Sequence, residues 1–511
     1  MQFLRERWYL GSVLSGVLLM LTFYPFHIGV LAFVALAPVY LVVSYASSAR
    51  LAFLAGFLAG AMVFFEISFL VVAEFHWAPG GALFVSAIQY GGVIAAVLLF
   101  GGLTGLWALG TYLLRGASVA LNVLTSAGLY VLYERFAQLP IDGYFVPTLA
   151  YEVTLPFLMS FAAVAGAMGV SAIIAWVNFS LAEGVRAHSA GEYWPWLRDT
   201  GAVFCLLICL YVSNGVYLSY VREESQVQTV SLASLQLASL DTRTFGTSTP
   251  SGFSFPALEA FVSHAEAAGA DLMVYPGSLV NRVVQEDEAD ITRWVFSNTP
   301  RNGTLVTWDN TQRQGSVFTE FRFWREGELR GEIEKKSLMP FMDYAPEWAR
   351  TIGFYPKIFD VTPGAGRGVL LGNIAVGGLV CSEVHRPYRL REVAQDSSLI
   401  LAIGSESMFE DDVASHFSLR AAQYRAVEGD VPVLRANILG PSALIARDGS
   451  LVEEIPTGEG GILMGSVKIL PPHKTLYVQA GDAPLALVFV VVIFLAFRAR
   501  SLQTKGSDLP A

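Results

Sequence analysis

One cysteine in this chain stands where a reactive residue would be expected. The stretch IAVGGLV at 374–380 reads as a buried strand, and Cys381-Ser382-Glu383 follows it directly. In α/β folds, ligands meet the residues at the carboxyl ends of strands. A cysteine acts there through its thiolate, which needs a neighbouring base or cation. The competing account is a buried cysteine serving as a small apolar residue. Cys205 and Cys209 lie one helical turn apart in an apolar run and read as small membrane-helix residues. Three scattered cysteines make neither a disulfide framework nor a zinc site, and no cofactor is expected.

Three further titratable residues can be weighed for chemistry. Glu66 lies inside an apolar run, where a carboxylate is costly and faces a bundle interior. A functional carboxylate and a neutral, hydrogen-bonded one both remain open for it. His385 and His416 flank the region around Cys381 in sequence, and His416 reads as a capping or packing residue.

The elements that must position Cys381 lie between residues 222 and 481, where most of the charge is found. Strands are expected at 231–238, 271–275, 303–307, 398–404 and 431–437, and a hairpin-like stretch at 317–334. Leu258, Phe261, Val262 and Ala265 repeat at helical spacing and Gly269 closes that helix; another helix is expected at 413–429. A last hairpin, ALIARDGSLVEEI, turns on Asp448-Gly449. Alternating strands and helices over about 250 residues indicate a single α/β sandwich.

The remainder of the chain is of another kind. Of 511 residues, 54% are hydrophobic and 15% charged, against about 25% charged in soluble domains; the mean hydropathy is +0.50. A net charge of −10 with no Lys/Arg-rich block argues against nucleic acid as a partner. Apolar runs at 8–24, 28–46, 51–73, 82–114, 117–133, 156–181, 201–220 and 483–497 predict about eight transmembrane helices. The first is read as a retained helix rather than a signal peptide. Arg5, Arg7, Arg50, Arg115, Arg186, Arg198, Arg498, Arg500 and Lys505 all fall on one side if all eight cross. The positive-inside rule makes that side cytoplasmic. The expected organisation is a seven-helix region over 1–221, an extracytoplasmic domain over 222–481, and a final helix with a cytoplasmic tail over 482–511.

From about 225 to 470 the chain resembles the carbon–nitrogen hydrolase (nitrilase) superfamily. With its flanking helices it resembles bacterial apolipoprotein N-acyltransferases over nearly its whole length. Glu334-Lys335-Lys336-Ser337-Leu338-Met339-Pro340-Phe341-Met342-Asp343-Tyr344-Ala345-Pro346 is similar to the family's K-x-x-L-x-P-F-G-E-x-x-P. Gly378-Leu379-Val380-Cys381-Ser382-Glu383 resembles its strand ending in C-x-E. His416-Phe417, Arg425-Ala426-Val427-Glu428 and Pro432-Val433-Leu434-Arg435 resemble its Q-H-x…R-A-x-E…P-x-x-R segment. The resemblance implies an αββα sandwich in the inner membrane and a role in lipoprotein maturation. It implies a phospholipid acyl donor, a Cys381 thioester, and the N-terminal amine of a diacylglyceryl-modified apolipoprotein as acceptor. It assigns Cys381 as nucleophile, Lys335 as the oxyanion-stabilising lysine (Lys336 in the alternative register), Asp343 where the family has Glu, and Glu383 as the acid after the cysteine.

The general base of the pattern is missing. The family's strand ends W-P-E-[ST]; here the residues are Tyr275-Pro276-Gly277-Ser278, with Gly277 in the base position. Loss of a positioned base commonly costs about 10²–10⁴ in rate. Glu286, Asp287 and Glu288 follow on a loop, and Ser278 is a weak acceptor. Ser382 replaces the family's aromatic residue, and Ile438 stands where Asn is expected before Leu439-Gly440. Ser405-Glu406-Ser407-Met408-Phe409-Glu410 replaces N-D-x-W-F-G, and Gly143-Tyr144-Phe145-Val146-Pro147 lacks the Trp of G-F-P-W. A divergent relative is expected. The alternatives are a catalytically impaired paralogue that binds lipid or lipoprotein in the envelope, and an acyltransferase or amidase with another acceptor.

Overall fold

The computed structural model describes residues 6–23, 25–74, 82–116, 118–139, 146, 148–191, 193–223, 227–237, 247–249, 252–254, 256–277, 284–285, 299–340, 343–351, 360–404 and 413–507. Contacts divide the chain into two compact units, residues 1–219 with 480–511, and residues 220–479.

The first unit is helical: α1 (Trp8–Thr22), α2 (Ala37–Tyr45), α3 (Ala49–Glu74), α4 (Ala82–Leu114), α5 (Val119–Gln138), α6 (Ala162–Ala190), α7 (Tyr193–Glu223) and, from beyond the second unit, a long C-terminal helix, Ala483–Ser507. Among the described residues, five helical spans are long and apolar enough to cross a membrane: 49–70, 90–114, 162–190, 196–219 and 483–501. Trp8–Thr22 and Gly29–Tyr45 are shorter apolar segments. Close approach of α3 and α4 depends on small residues: a Cβ on Gly56 would stand 2.6 Å from the Thr104 carbonyl oxygen, and one on Gly60 2.3 Å from Thr104 Oγ1.

The apolar run at 28–46, expected as one helix, is broken. It forms a 3₁₀ turn, Gly29–Phe33, and then α2, with Pro38 in the first turn of α2. Asn178 of α6 supplies what the break leaves unpaired. Its Oδ1 accepts from the Leu36 amide at 2.8 Å, and its Nδ2 donates to the Ala32 carbonyl at 2.7 Å. Backbone groups cannot stay unsatisfied in an apolar bundle, so a buried amide side chain on the neighbouring helix makes the break tolerable.

The second unit is a two-sheet sandwich. Its strands are β1 (Gln228–Gln236), β2 (Leu272–Tyr275), β3 (Thr304–Arg313), β4 (Ser316–Arg325), β5 (Glu328–Glu334), β6 (Val369–Leu371), β7 (Ile374–Val380), β8 (Leu399–Gly404), β9 (Val433–Asn437), β10 (Ser442–Ile445), β11 (Leu451–Ile455) and β12 (Gly461–Ile469). One sheet runs β12-β1-β2-β3-β4-β5, with the short strand Val284–Gln285 also on β3; the other runs β11-β10-β9-β8-β7-β6. Each has a parallel centre, β1-β2-β3 and β7-β8-β9, edged by antiparallel strands.

Strand alternation decides what each sheet face holds. Leu272, Val274, Val306, Phe321, Phe323 and Ile333 meet Val376, Val380, Leu401, Ile403 and Leu434 in the layer between the sheets. Met273, Tyr275, Leu305 and Trp324 face the other way and pack with Leu258, Phe261, Val262 and Ala265 of α8 (Pro256–Ala267). The expected helix at 413–429 is α10 (Val413–Gly429), and α9 (Pro387–Ala394) precedes β8. Strand β12, which sequence reading did not identify, pairs along all nine residues of β1.

Candidate active site

The carboxyl end of β7 carries Cys381. Its φ of +55° lies in the left-handed region that non-glycine residues seldom occupy, and the backbone turns there into the 3₁₀ segment Cys381–His385. The turn is tied by Glu383, whose Oε2 accepts from the Val380 amide at 2.9 Å. Cys381 itself is half-buried at the edge of the inter-sheet core.

Lys335 follows β5 and is 1% exposed. Its Nζ lies 2.6 Å from Asp343 Oδ2, the same oxygen that accepts from the Met339 amide at 2.6 Å. Burial pushes the Lys335 ammonium down. The negative charges of Cys381, Asp343 and Glu383 outweigh burial and hold it above the usual lysine range. The lysine therefore stays charged in a buried setting, within electrostatic reach of Cys381. Backbone bonds fix its place: the Lys335 amide donates to Thr319 at 2.7 Å, and its carbonyl accepts from Gly364 at 2.8 Å. Lys336, the alternative register, points elsewhere, pairing with Glu392 at 2.9 Å in a half-exposed setting.

Glu383 is fully buried, and its oxygens are engaged. Oε1 accepts from the amides of Lys336 (3.0 Å) and Ser337 (2.8 Å) and from Arg389 Nε (2.9 Å). This carboxylate holds the Lys335 loop to the Cys381 turn. Arg389, on the first turn of α9, was not singled out from sequence. The available signal was a buried acid at 383 followed by Pro387 and a helix, which sets the first-turn arginine against that acid. Arg386 adds a bond from Nη2 to the Leu338 carbonyl at 3.0 Å.

Gly277 is buried where β2 ends, and its carbonyl accepts from the Trp308 amide at 3.4 Å. A Cβ at this position would stand 2.8 Å from Tyr275 Cζ and Oη and 3.0 Å from Ile438 Cδ1. Space for a side chain here is already taken by these two residues. Burial, and then the charge of Asp309, push the Tyr275 hydroxyl well above the usual range, so it stays protonated. Ser278, Glu286, Asp287 and Glu288 lie outside the described residues, as do 405–410 and most of 143–147.

His385 is buried, its Nε2 3.0 Å from Ser418 Oγ. Burial and the charges of Arg435, Arg425 and Arg386 push it down to about 3, so the ring is neutral at physiological pH. His416 is half-buried and stacks edge-on against Phe417. Glu66 lies on α3 with one carboxylate oxygen buried and unbonded among the described residues, and Cys205 and Cys209 are exposed on α7.

The apolar helices and the parallel-centred double sheet define a class: a helical membrane protein bearing a carbon–nitrogen hydrolase sandwich. A family model of the apolipoprotein N-acyltransferase N-terminal domain matches residues 15–180, and a carbon–nitrogen hydrolase model matches 305–469. The chain resembles apolipoprotein N-acyltransferases over nearly its whole length, at low identity. It is 26% identical to the apolipoprotein N-acyltransferase of Geobacter metallireducens, over 98% of this chain and 97% of the relative. It is 30% identical to that of Pseudomonas paraeruginosa over 36% of this chain and 37% of the relative. The solved structure of Saccharomyces cerevisiae Nit3, a nitrilase-superfamily member, aligns over 50% of this chain and 95% of its own at 14% identity, with a TM-score of 0.37.

Proposed function

We propose that this protein transfers an acyl chain from a phospholipid to the N-terminal amine of a lipoprotein, through a thioester on Cys381. The observation that carries the reading is the buried Lys335, paired with Asp343 at 2.6 Å on the loop that Glu383 ties to the Cys381 turn. Its relatives bear the name apolipoprotein N-acyltransferase, which supports the choice of acceptor. The bacterial inner membrane, with both termini cytoplasmic and residues 222–481 extracytoplasmic, is the setting proposed from the placement of positive charge.

In the first step the Cys381 sulfur attacks the ester carbonyl. A C–S bond forms, the ester C–O bond breaks, and the thiol proton ends on the departing lysophospholipid hydroxyl. Lys335 is placed to balance the negative charge of the thiolate and of the tetrahedral oxygen. In the second step the lipoprotein amine attacks the thioester; a C–N bond forms, the C–S bond breaks, and one amine proton returns to sulfur. Cys381, Lys335 and Asp343 carry these steps in this reading, while Glu383 positions the loop.

Gly277 supports a second reading, in which the site binds lipid or lipoprotein without turnover. Tyr275 and Ile438 occupy the space a base would need. One experiment separates the two. The purified full-length protein is incubated with phospholipid, and the Cys381 peptide is analysed by mass spectrometry. An acyl adduct that disappears on treatment with a lipoprotein-derived amine is expected. Absence of any adduct, under conditions where an authentic apolipoprotein N-acyltransferase forms one, would overturn the acyl-transfer reading.

A further inference from the structure

The membrane unit contains a polar cavity of about 380 Å³ among α2, α4, α5 and α6, a size typical of small-ligand sites. We propose that it holds a phosphate group, the headgroup of a membrane lipid or a free phosphate. This goes beyond the acyl-transfer reading and involves none of its residues.

Charge is the first argument. Arg115, Arg186 and Glu183 line the cavity, giving a formal excess of one positive charge that a monoanionic phosphodiester would balance. Both Glu183 oxygens are engaged: Oε1 accepts from the Tyr40 hydroxyl at 2.9 Å and Oε2 from Arg186 Nε at 2.6 Å. Arg115 is held at the end of α2 by the carbonyls of Val43 (3.2 Å), Ser44 (3.0 Å) and Ala46 (3.1 Å), which fixes its charge at the cavity wall. Asn122, Thr125 and Ser126 of α5, which starts after its N-cap Ser118, line the same space.

The second argument is independent of charge. Thr111 and Thr125 line the cavity, are 6% and 2% exposed, and have hydroxyls with no bonding partner among the described residues. Elsewhere in the bundle, hydroxyls bond to the carbonyl four residues back: Thr22 at 2.7 Å and Thr104 at 2.9 Å. That is the default for a hydroxyl in a membrane helix. Two buried hydroxyls that forgo it, beside two guanidiniums, are donors waiting for an acceptor, and phosphate oxygens supply several.

The test uses the full-length protein in detergent and the double variant Thr111→Val/Thr125→Val, which preserves shape and removes only two hydroxyls that have no partner among the described residues. Thermal stability is measured with phosphatidylglycerol, with an uncharged diacylglycerol, and with inorganic phosphate. Phosphatidylglycerol should raise the wild-type melting temperature, diacylglycerol should not, and the double variant should bind at least tenfold more weakly. A shift with inorganic phosphate alone identifies the free ion as the source; a shift with the lipid alone identifies the headgroup. Native mass spectrometry of the wild type gives a readout that does not depend on the variant folding. No phosphate-bearing adduct by that method and no thermal shift, or equal shifts in wild type and variant, would overturn the proposal.

Discussion

The Tyr275 ring lies 2.8 Å from the point where a Cβ on Gly277 would stand. In the proposed reading Gly277 stands where a catalytic base would, and an empty hole there would admit water or a neighbouring acid. The space is filled instead by a protonated tyrosine on one side and by Ile438 on the other. The two departures from the family pattern, at 277 and at 438, meet at one spot.

Restoring the base should therefore require relief of that crowding. Gly277→Glu alone forces the Tyr275 ring and the Ile438 methyl aside and should give little gain in thioester formation. Gly277→Glu with Tyr275→Ala, which removes the nearer obstruction, should raise the rate of Cys381 acylation by about 10²-fold, the lower range for a positioned base. Single-turnover acylation, followed by mass spectrometry, makes the comparison. An unchanged rate in the double variant would place the base elsewhere.

Lys335→Met should destabilise the sandwich as well as silence the site. It leaves the Asp343 carboxylate without its partner in a buried setting, a change that costs about 3–5 kcal/mol. Lys335→Met/Asp343→Leu should recover most of that stability and none of the acylation. Chemical denaturation and adduct formation read the two effects separately.

Glu320 gives the domain a pH dependence of definite sign. It lies buried on β4, and Arg313 bonds to it and to Glu332 and Glu334. Burial, then the charge of Glu332, push its carboxyl up to about 7 against the opposing pull of Arg313. The folded state thus binds a proton more tightly than the unfolded chain. That contribution to stability is full below the ordinary carboxylate range and is lost as pH rises through about 7. Melting temperature should fall between pH 5 and pH 8, and Glu320→Gln should flatten the slope. A slope unchanged by the substitution would exclude Glu320 as its source.

His385 should leave no mark on the pH profile of the site. Held neutral down to about pH 3 by burial and three arginines, it has no proton to exchange near neutrality. Any inflection near pH 6.5 in Cys381 acylation should survive His385→Gln; its loss would assign the inflection to His385.

Much of this architecture was legible in the sequence because it rests on local pattern. Short apolar runs and turn residues locate β1, β2, β7, β8 and the Asp448-Gly449 hairpin, and longer uninterrupted apolar runs locate the long helices. The break before α2 was not legible. It depends on Asn178, more than 130 residues away, accepting and donating to the freed backbone. Strand β12 was missed for a related reason, since its partner β1 lies over 200 residues earlier.

At the candidate site the sequence by itself determined the residue types: a cysteine after a buried strand, a lysine after another, and a glycine where a base is expected. Only the tertiary structure decided what surrounds them. It sets Lys335 against Asp343, makes Glu383 the tie between the Lys335 loop and the Cys381 turn, with Arg389 paired to it, and seats Tyr275 and Ile438 over Gly277. The physical reason is that a buried charge or a filled cavity is a property of neighbours. Those neighbours come from different strands of two sheets, and their proximity exists only once the sheets have packed.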